Sequence, residues 1–314
     1  MQSEVPAAAT VGIAGLGIMG GAYARSLLAA GFRVIGYDIA NEPLEALRSS
    51  GGVPLKSARE LAEHSHVVIT ALADPKALAS VCLGENGLVH AARPGAVVIE
   101  TSTLSLDVKE TCRAALADAG TTLLDCPVSG TGAQAAAKDL LVYASGDQGA
   151  IERCRPVFDG FSRETLYVGP FGAGMKTKYI ANHLVAIHNL ASAEAMLLAT
   201  RAGLDPELTY QAIIRGAGTS RIFEVRGPMM VAERYEPPTM KFDVYMKDIM
   251  LILDFARQLS TPTPLFAASV PFYMAALAQG RAKQDTAGLF AVLKELAGQG
   301  ERRSVNKQTA ETKL

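Results

Sequence analysis

The sequence has little that would tie it to nucleic acid, to a membrane surface or to an oxidising compartment. Lysine and arginine number 30 against 31 acidic residues, a formal net charge of −1, so it lacks the basic footprint that a polyanion or an anionic bilayer would require. Cysteine is scarce: Cys82, Cys112, Cys126 and Cys154 lie far apart and form no CxxC pair. Neither a zinc cage nor a disulfide framework is indicated, no metal is expected, and the reducing cytoplasm is the expected compartment. Charged residues are 19% of the chain and apolar ones 49%, which excludes wholesale disorder. A length of 314 residues points to two domains.

One uncharged run is long enough to cross a bilayer, residues 5–24. It contains Pro6 and glycines at Gly12, Gly15, Gly17, Gly20 and Gly21, and an acid stands where a signal peptide needs a basic start. A strand over 9–14, a glycine turn and a helix over 19–30 account for each glycine better than a spanning helix does.

That turn carries the first chemical motif, Gly15-Leu16-Gly17-Ile18-Met19-Gly20, a GxGxxG between strand and helix. The first glycine permits the tight turn, the second lets backbone approach a pyrophosphate, and the third lets helix pack on strand. The helix N-terminus offers free N–H groups to the phosphates. A second strand, 33–37, ends at Asp38, where an acid accepts the ribose hydroxyls of NAD and repels the 2′-phosphate of NADP. NAD is therefore the expected cofactor, with NADP disfavoured. Asp38 as a cap for the helix near 42–49 is the competing role, and both can hold.

Strand and helix continue to alternate, with further strands over 66–70, 95–100, 121–125 and 140–145, the pattern of a doubly wound parallel sheet. Ligands in such sheets bind beyond the carboxyl ends of the strands, so residues 70–74, 101–105 and 126–132 are the candidate walls. His64 and His66, entering a strand, read as packing residues in preference to a metal pair. After Gly174 the character changes to a long apolar helix over 171–202. Further helices follow, capped at Asp205-Pro206 and Asp243, started at Thr263-Pro264 and opened at Thr286. The expected fold is α/β: a Rossmann-type doubly wound parallel sheet over 11–170, then an all-helical substrate and oligomerisation domain over 171–300. An arm over 1–10 and a polar tail over 301–314 flank them.

On the long helix, Lys176 and Lys178 are two positions apart and point about 200° away from each other. Lys178, Asn182, Val185 and Asn189 share one stripe, whose polar groups need partners if buried. His183 and His188 lie off it and read as packing histidines.

These motifs together resemble the β-hydroxyacid dehydrogenase family, whose members act on 3-hydroxyisobutyrate, tartronate semialdehyde or 6-phosphogluconate. The resemblance runs from about residue 11 to 298. GLGIMG at 15–20 looks like the family's cofactor turn, and Asp125-Cys126-Pro127-Val128-Ser129-Gly130 like its DxPVSG substrate loop. Gly172 through Asn182 fits GxGxxxKxxxN, Met246-Lys247-Asp248 resembles the second-domain KD pair, and Lys283-Gln284-Asp285 the late KxD segment. The resemblance implies Lys178 as general acid/base and Asn182 as the residue that orients substrate. It implies a substrate carboxylate on Ser129, Gly130 and Thr131 with Lys247 as charged partner. Leu72, Ala73, Ser102, Thr103 and Asp248 would join residues 15–20 and Asp38 around the cofactor.

Three departures from the family pattern bear on the substrate: Thr131 follows Ser129-Gly130 where a second glycine is usual, Lys138-Asp139 replaces Gly-Thr, and Ala71-Leu72-Ala73-Asp74 replaces Met-Leu-Pro-Asn. The segment from Thr219 to Arg226 is similar to that of members acting on four-carbon sugar acids such as threonate, with helix capping and packing as its alternative role. The expected reaction is NAD-dependent oxidation of a small 3-hydroxy acid, or the reverse reduction, by a homodimer or homotetramer associated through the helical half. An imine reductase-type enzyme of the same build and a non-catalytic dinucleotide-binding scaffold are the alternatives.

Overall fold

In the computed structural model, which describes residues 9–298, the chain packs as two compact units. One runs to Asn182 and includes Met250–Leu259; the other comprises His183–Ile249 and the residues from Ser260. The expected arm over 1–10 falls almost wholly outside the described residues, and the tail over 301–314 entirely so.

The first unit is built on one sheet of nine strands. They are β1 (Thr10–Ala14), β2 (Arg33–Tyr37), β3 (Val53–Pro54), β4 (Val67–Thr70), β5 (Val97–Glu100), β6 (Thr122–Asp125), β7 (Val128–Ser129), β8 (Leu141–Ser145) and β9 (Glu164–Gly169). The order β3-β2-β1-β4-β5-β6 is parallel throughout, and its direction of winding reverses between β1 and β4. That switch point is where a dinucleotide-binding sheet opens its crevice. The described part of the uncharged run thus forms the central strand β1, the turn and the start of the helix Ile18–Ala29. No helix among the described residues is long and apolar enough to cross a membrane.

Alternation along the strands divides the core into two layers. Val11, Ile13, Val34, Val67, Ile69, Val97, Ile99 and Leu124 pack on one face; Ala14, Ile35, Val68, Val98 and Leu123 pack on the other. Both faces are covered by helices, which is why the strands read as nearly continuous apolar runs.

Several expectations need correction. The sheet is not parallel throughout, because β8 runs antiparallel to both β6 and β7 before β9 joins it in parallel. The strands β3, β7 and β9 carry no clear sequence signal, two of them being only two residues long. His64 closes the helix Ala58–His64 and His66 precedes β4, both exposed, so neither packs at a strand end.

Among the described residues, the second unit is helical. It contains most of the helix Ala173–Arg201, then Pro206–Ile213, Arg221–Val231, the first half of Phe242–Gln258, Pro264–Ala278 and Leu289–Leu296. Asp205 caps its helix by accepting the Leu208 N–H at 2.8 Å, as expected of Asp-Pro. Asp243 is not a cap: it lies inside the helix Phe242–Gln258 and pairs with Lys283 at 2.6 Å. Ser220 caps Arg221–Val231 through the Phe223 N–H at 3.1 Å. Arg226 is buried against Asp285 at 3.3 Å, and Asp285 also accepts the N–H groups of Thr239, Met240 and Ala287. The capping and packing role of the 219–226 segment is therefore realised at both residues.

Candidate active site

The glycine turn behaves as its spacing requires. Gly15 has φ +87°, and a Cβ there would stand 2.4 Å from the Ala71 carbonyl oxygen. A Cβ on Gly20 would lie 1.8 Å from the carbonyl oxygen of Gly15, so the helix can approach only without a side chain. Gly17 is the opposite case, with nothing within 4 Å of its Cβ position. No side chain caps the helix that begins beside it, which leaves its first N–H groups for an anion. Asp38 closes the turn: Oδ2 accepts the Leu16 N–H at 2.7 Å and Oδ1 the Ala40 N–H at 2.9 Å. Each oxygen keeps a lone pair for a ribose hydroxyl. An open glycine, an uncapped helix start and an acid at the end of β2 fit a nicotinamide dinucleotide.

The six turn residues divide in use. Leu16 points its side chain into the core and Gly20 is buried, so they shape the turn, whereas Gly17 and Ile18 are exposed. Met19 is partly buried against the core.

The loops after β1, β4, β5 and β6 meet at one edge of the sheet. Ser102 Oγ accepts the Leu72 N–H at 2.8 Å, tying the loop after β5 to the one after β4; Ala73 beside it is exposed. Thr103 is half-buried. A Cβ on Gly132 would lie 2.5 Å from Ile18 Cγ2, so the loop after β6 touches the glycine turn. Within that loop Gly130 has φ +140°, and a Cβ there would meet Leu140 at 2.5 Å. Ser129 is half-buried in β7. Thr131 has a local role. It heads the short helix Gly132–Ala136, and its N–H is spent on Gln134 Oε1 at 3.0 Å, so that N–H is not open to a substrate carboxylate.

The long helix Ala173–Arg201 begins against these loops. A Cβ on Gly174 would meet the carbonyl oxygens of Tyr143 and Asp125 at 2.5 and 2.6 Å, so glycine allows helix backbone to touch sheet backbone. Tyr179 donates its hydroxyl to the Leu104 carbonyl at 2.7 Å and its ring packs 5.2 Å from Phe255. The helical period then sorts the two lysines: Lys176 is exposed and Lys178 buried. Asn182 shares the Lys178 face and is buried with it. Lys178 and Asn182 on the helix, and Ser102, Thr103, Ser129 and Gly130 on the loops, all belong to the first unit.

The rest of the stripe belongs to the second unit. Asn189 is fully buried and donates to the Thr286 carbonyl at 2.8 Å and to the Tyr273 hydroxyl at 3.3 Å, a structural role. His183 stacks 5.0 Å from Phe266, and burial holds its pKa below the usual histidine value. In the same unit Asp248 is buried with Oδ1 3.6 Å from Lys247 Nζ. Among the described residues no group of three or more His, Cys, Asp or Glu side chains is placed to hold a metal ion.

Sequence reasoning missed Lys109, a lysine with no exposure at all. Its signal was available: Lys109, Cys112 and Leu116 follow i, i+3, i+7 on one face of the helix Leu106–Asp118, and all three are buried.

Comparison with known proteins points to one family. Residues 10–169 match the family model described as the NAD binding domain of 6-phosphogluconate dehydrogenase. Residues 172–293 match that described as NAD-binding of NADP-dependent 3-hydroxyisobutyrate dehydrogenase. An L-threonate dehydrogenase from Cupriavidus necator is 35% identical over 294 residues, covering 93% of this chain and 99% of that protein. A 2-hydroxy-3-oxopropionate reductase from Escherichia coli is 31% identical over 288 residues, covering 91% and 98% respectively. The crystal structure of a 3-hydroxyisobutyrate dehydrogenase from Salmonella typhimurium superposes with a TM-score of 0.80 at 33% identity, over 90% of this chain and 99% of that one.

Proposed function

We propose, because this chain belongs to the β-hydroxyacid dehydrogenase family, that Lys178 and Asn182 carry its reaction and that a four-carbon sugar acid of the L-threonate kind is its substrate. The reaction class is that of the family, oxidation of a small hydroxy acid or the reverse reduction, with a nicotinamide dinucleotide as partner. One observation carries the assignment of residues: a lysine and an asparagine one helical turn apart are buried together on a helix fastened to the loops at the carboxyl edge of the sheet.

A nicotinamide dinucleotide held by the glycine turn and Asp38 would supply the hydride acceptor for the carbinol carbon of the substrate. Lys178 in its neutral form removes the hydroxyl proton in oxidation, and as an ammonium returns it in reduction. Asn182 holds the reacting oxygen in line with the Lys178 amine. The Ser129 hydroxyl and the Gly130 N–H hold the substrate carboxylate. Residues 11–170 serve as the cofactor domain, where Gly15–Gly20, Asp38, Leu72, Ala73, Ser102 and Thr103 bind the dinucleotide, and residues 171–300 serve as the substrate and oligomerisation domain. Support for the sugar acid comes from the relative named L-threonate dehydrogenase; the 219–226 segment adds less, since Ser220 and Arg226 are engaged in capping and packing.

The imine reductase reading is set aside because the relatives at 31–35% identity are hydroxyacid enzymes. The scaffold reading fails on the same relatives. We assign NAD over NADP on the Asp38 carboxylate and place the enzyme in the cytoplasm, in keeping with four free, buried thiols. We propose association as a dimer or tetramer, a reading supported by the exposure of Leu198, Leu208, Leu265 and Met274 in the second unit; light scattering should give a mass of two or four chains, and a monomer at micromolar concentration would refute it.

The test is a panel of small hydroxy acids followed by NADH absorbance, with L-threonate expected to give the highest kcat/KM. A panel on which a three-carbon acid surpasses threonate at least tenfold would overturn the substrate class. With the best substrate, NAD should be preferred over NADP by about 100-fold or more, and Asp38→Ala should narrow that preference to about tenfold. Wild-type preference for NADP would sink the role given to Asp38.

A further inference from the structure

The sheet unit buries three charged side chains that the reaction above does not use. Glu100 ends β5, Asp125 ends β6, and Lys109 projects from the helix Leu106–Asp118; none has any exposure. Lys109 Nζ stands 2.5 Å from Glu100 Oε2 and 2.7 Å from Asp125 Oδ1. Burial alone would lower the lysine pKa, but the carboxylates of Asp125 and Glu100 outweigh it and hold the pKa above the usual lysine value.

Such a cluster is poor economy for stability alone, because desolvating three charges offsets most of what their pairing returns. The carboxylate oxygens not bound to Lys109 show where it reaches. Glu100 Oε1 accepts the Ser102 N–H at 2.9 Å, in the loop assigned to the dinucleotide. Asp125 Oδ2 accepts the Met175 N–H at 2.7 Å, in the first turn of the long helix. The Ser145 hydroxyl donates to the Asp125 carbonyl at 2.8 Å and accepts the Gly174 N–H at 2.9 Å, reinforcing the same joint. An anion here also suits the positive end of the helix. A continuous buried path thus links Ser102 to Met175, three residues before Lys178.

We propose that Glu100, Lys109 and Asp125 form a positioning device that holds the start of the lysine-bearing helix at a set place relative to the Ser102 loop. Lys109 is the joint, since it pairs both with the carboxylate that ends β5 and with the one that ends β6. A reacting geometry depends on sub-ångström placement, and an ionic joint with hydrogen bonds at both ends is directional in a way that apolar packing is not. The inference rests on Lys178 being the base.

Two variants test it, Lys109→Met and the milder Ser145→Ala, each compared with wild type by amide hydrogen exchange, calorimetric titration with NAD, and steady-state kinetics. Exchange over residues 173–178 should accelerate about tenfold in both variants, while β1 and the helix Ile18–Ala29 keep their protection. The NAD dissociation constant should stay within about threefold of wild type, and kcat should fall about ten- to 100-fold with KM little changed. A structural role alone would loosen the sheet as a whole and weaken NAD binding in parallel. Unchanged exchange over 173–178 in folded variants, acceleration spread evenly over the sheet, or local acceleration with undiminished kcat would each overturn the proposal. If Lys109→Met does not fold, Ser145→Ala carries the test, and the same outcomes apply. Failure of the base assignment is seen separately, as turnover surviving in Lys178→Ala, and leaves the exchange result to be judged by itself.

Discussion

Lys178→Ala is expected to lower kcat by about 10²–10⁴-fold, the range that a positioned general acid or base contributes. NAD affinity should stay within about threefold, because the substitution lies apart from the glycine turn and Asp38. KM for the hydroxy acid should change less than kcat, since the proton leaves the substrate only as the hydride does. Lys176→Ala is the internal control. Lys176 is exposed on the opposite side of the same helix, so its removal should leave kcat within about twofold. Measurement is by initial rates of NADH formation together with calorimetric titration of NAD. Full turnover in Lys178→Ala would refute the assigned base, and equal losses in both variants would show that the helix responds to charge in general.

The second large effect is expected from the glycine turn, where two glycines should fail in different ways. Gly20→Ala places a methyl group 1.8 Å from the Gly15 carbonyl oxygen, a backbone atom that cannot rotate away. Overpacking of this severity should cost about 3 kcal/mol or more in urea unfolding, and the displaced turn should abolish NAD binding. Gly17→Ala meets nothing within 4 Å, so its stability should lie within about 1 kcal/mol of wild type. Its methyl group nevertheless occupies the space that the pyrophosphate needs, and NAD affinity should fall by about 100-fold or more. Wild-type NAD binding by Gly17→Ala would show that the dinucleotide takes another path across the sheet.

What was legible in the sequence shares one property, that the cause is local. The GxGxxG turn, the acid ending β2, Asp205 as a cap and the opposed faces of Lys176 and Lys178 all follow from dihedral preference or helical period within a few residues. Elements that depend on distant partners were not legible. Two-residue β3 and β7 have no room for a periodic pattern, and they become strands only because β2 and β8 offer open edges. The reversal of β8 depends on the short return through 126–140, which a run of apolar residues does not encode. Thr131 shows how one residue can serve a local and a distant need at once: the departure from glycine reads as a change to the substrate loop, yet its N–H heads a helix. Lys109 was hidden by the habit of assigning lysines to the surface, although its register with Cys112 and Leu116 marked it as inward-facing.

The Asp38 carboxylate serves the architecture as well as the proposed ribose contact. Its hydrogen bond from the Leu16 N–H fastens the glycine turn to the end of the neighbouring strand, so the proposed cofactor choice and the integrity of the loop are vested in the same carboxylate. Redesign toward a phosphorylated dinucleotide therefore confronts a mechanical constraint before an electrostatic one. Any replacement must accept that N–H as well as admit the phosphate, which favours asparagine or serine over arginine as a first step. A basic residue would then be introduced separately, at the exposed Ile39, where it would leave the fastening untouched.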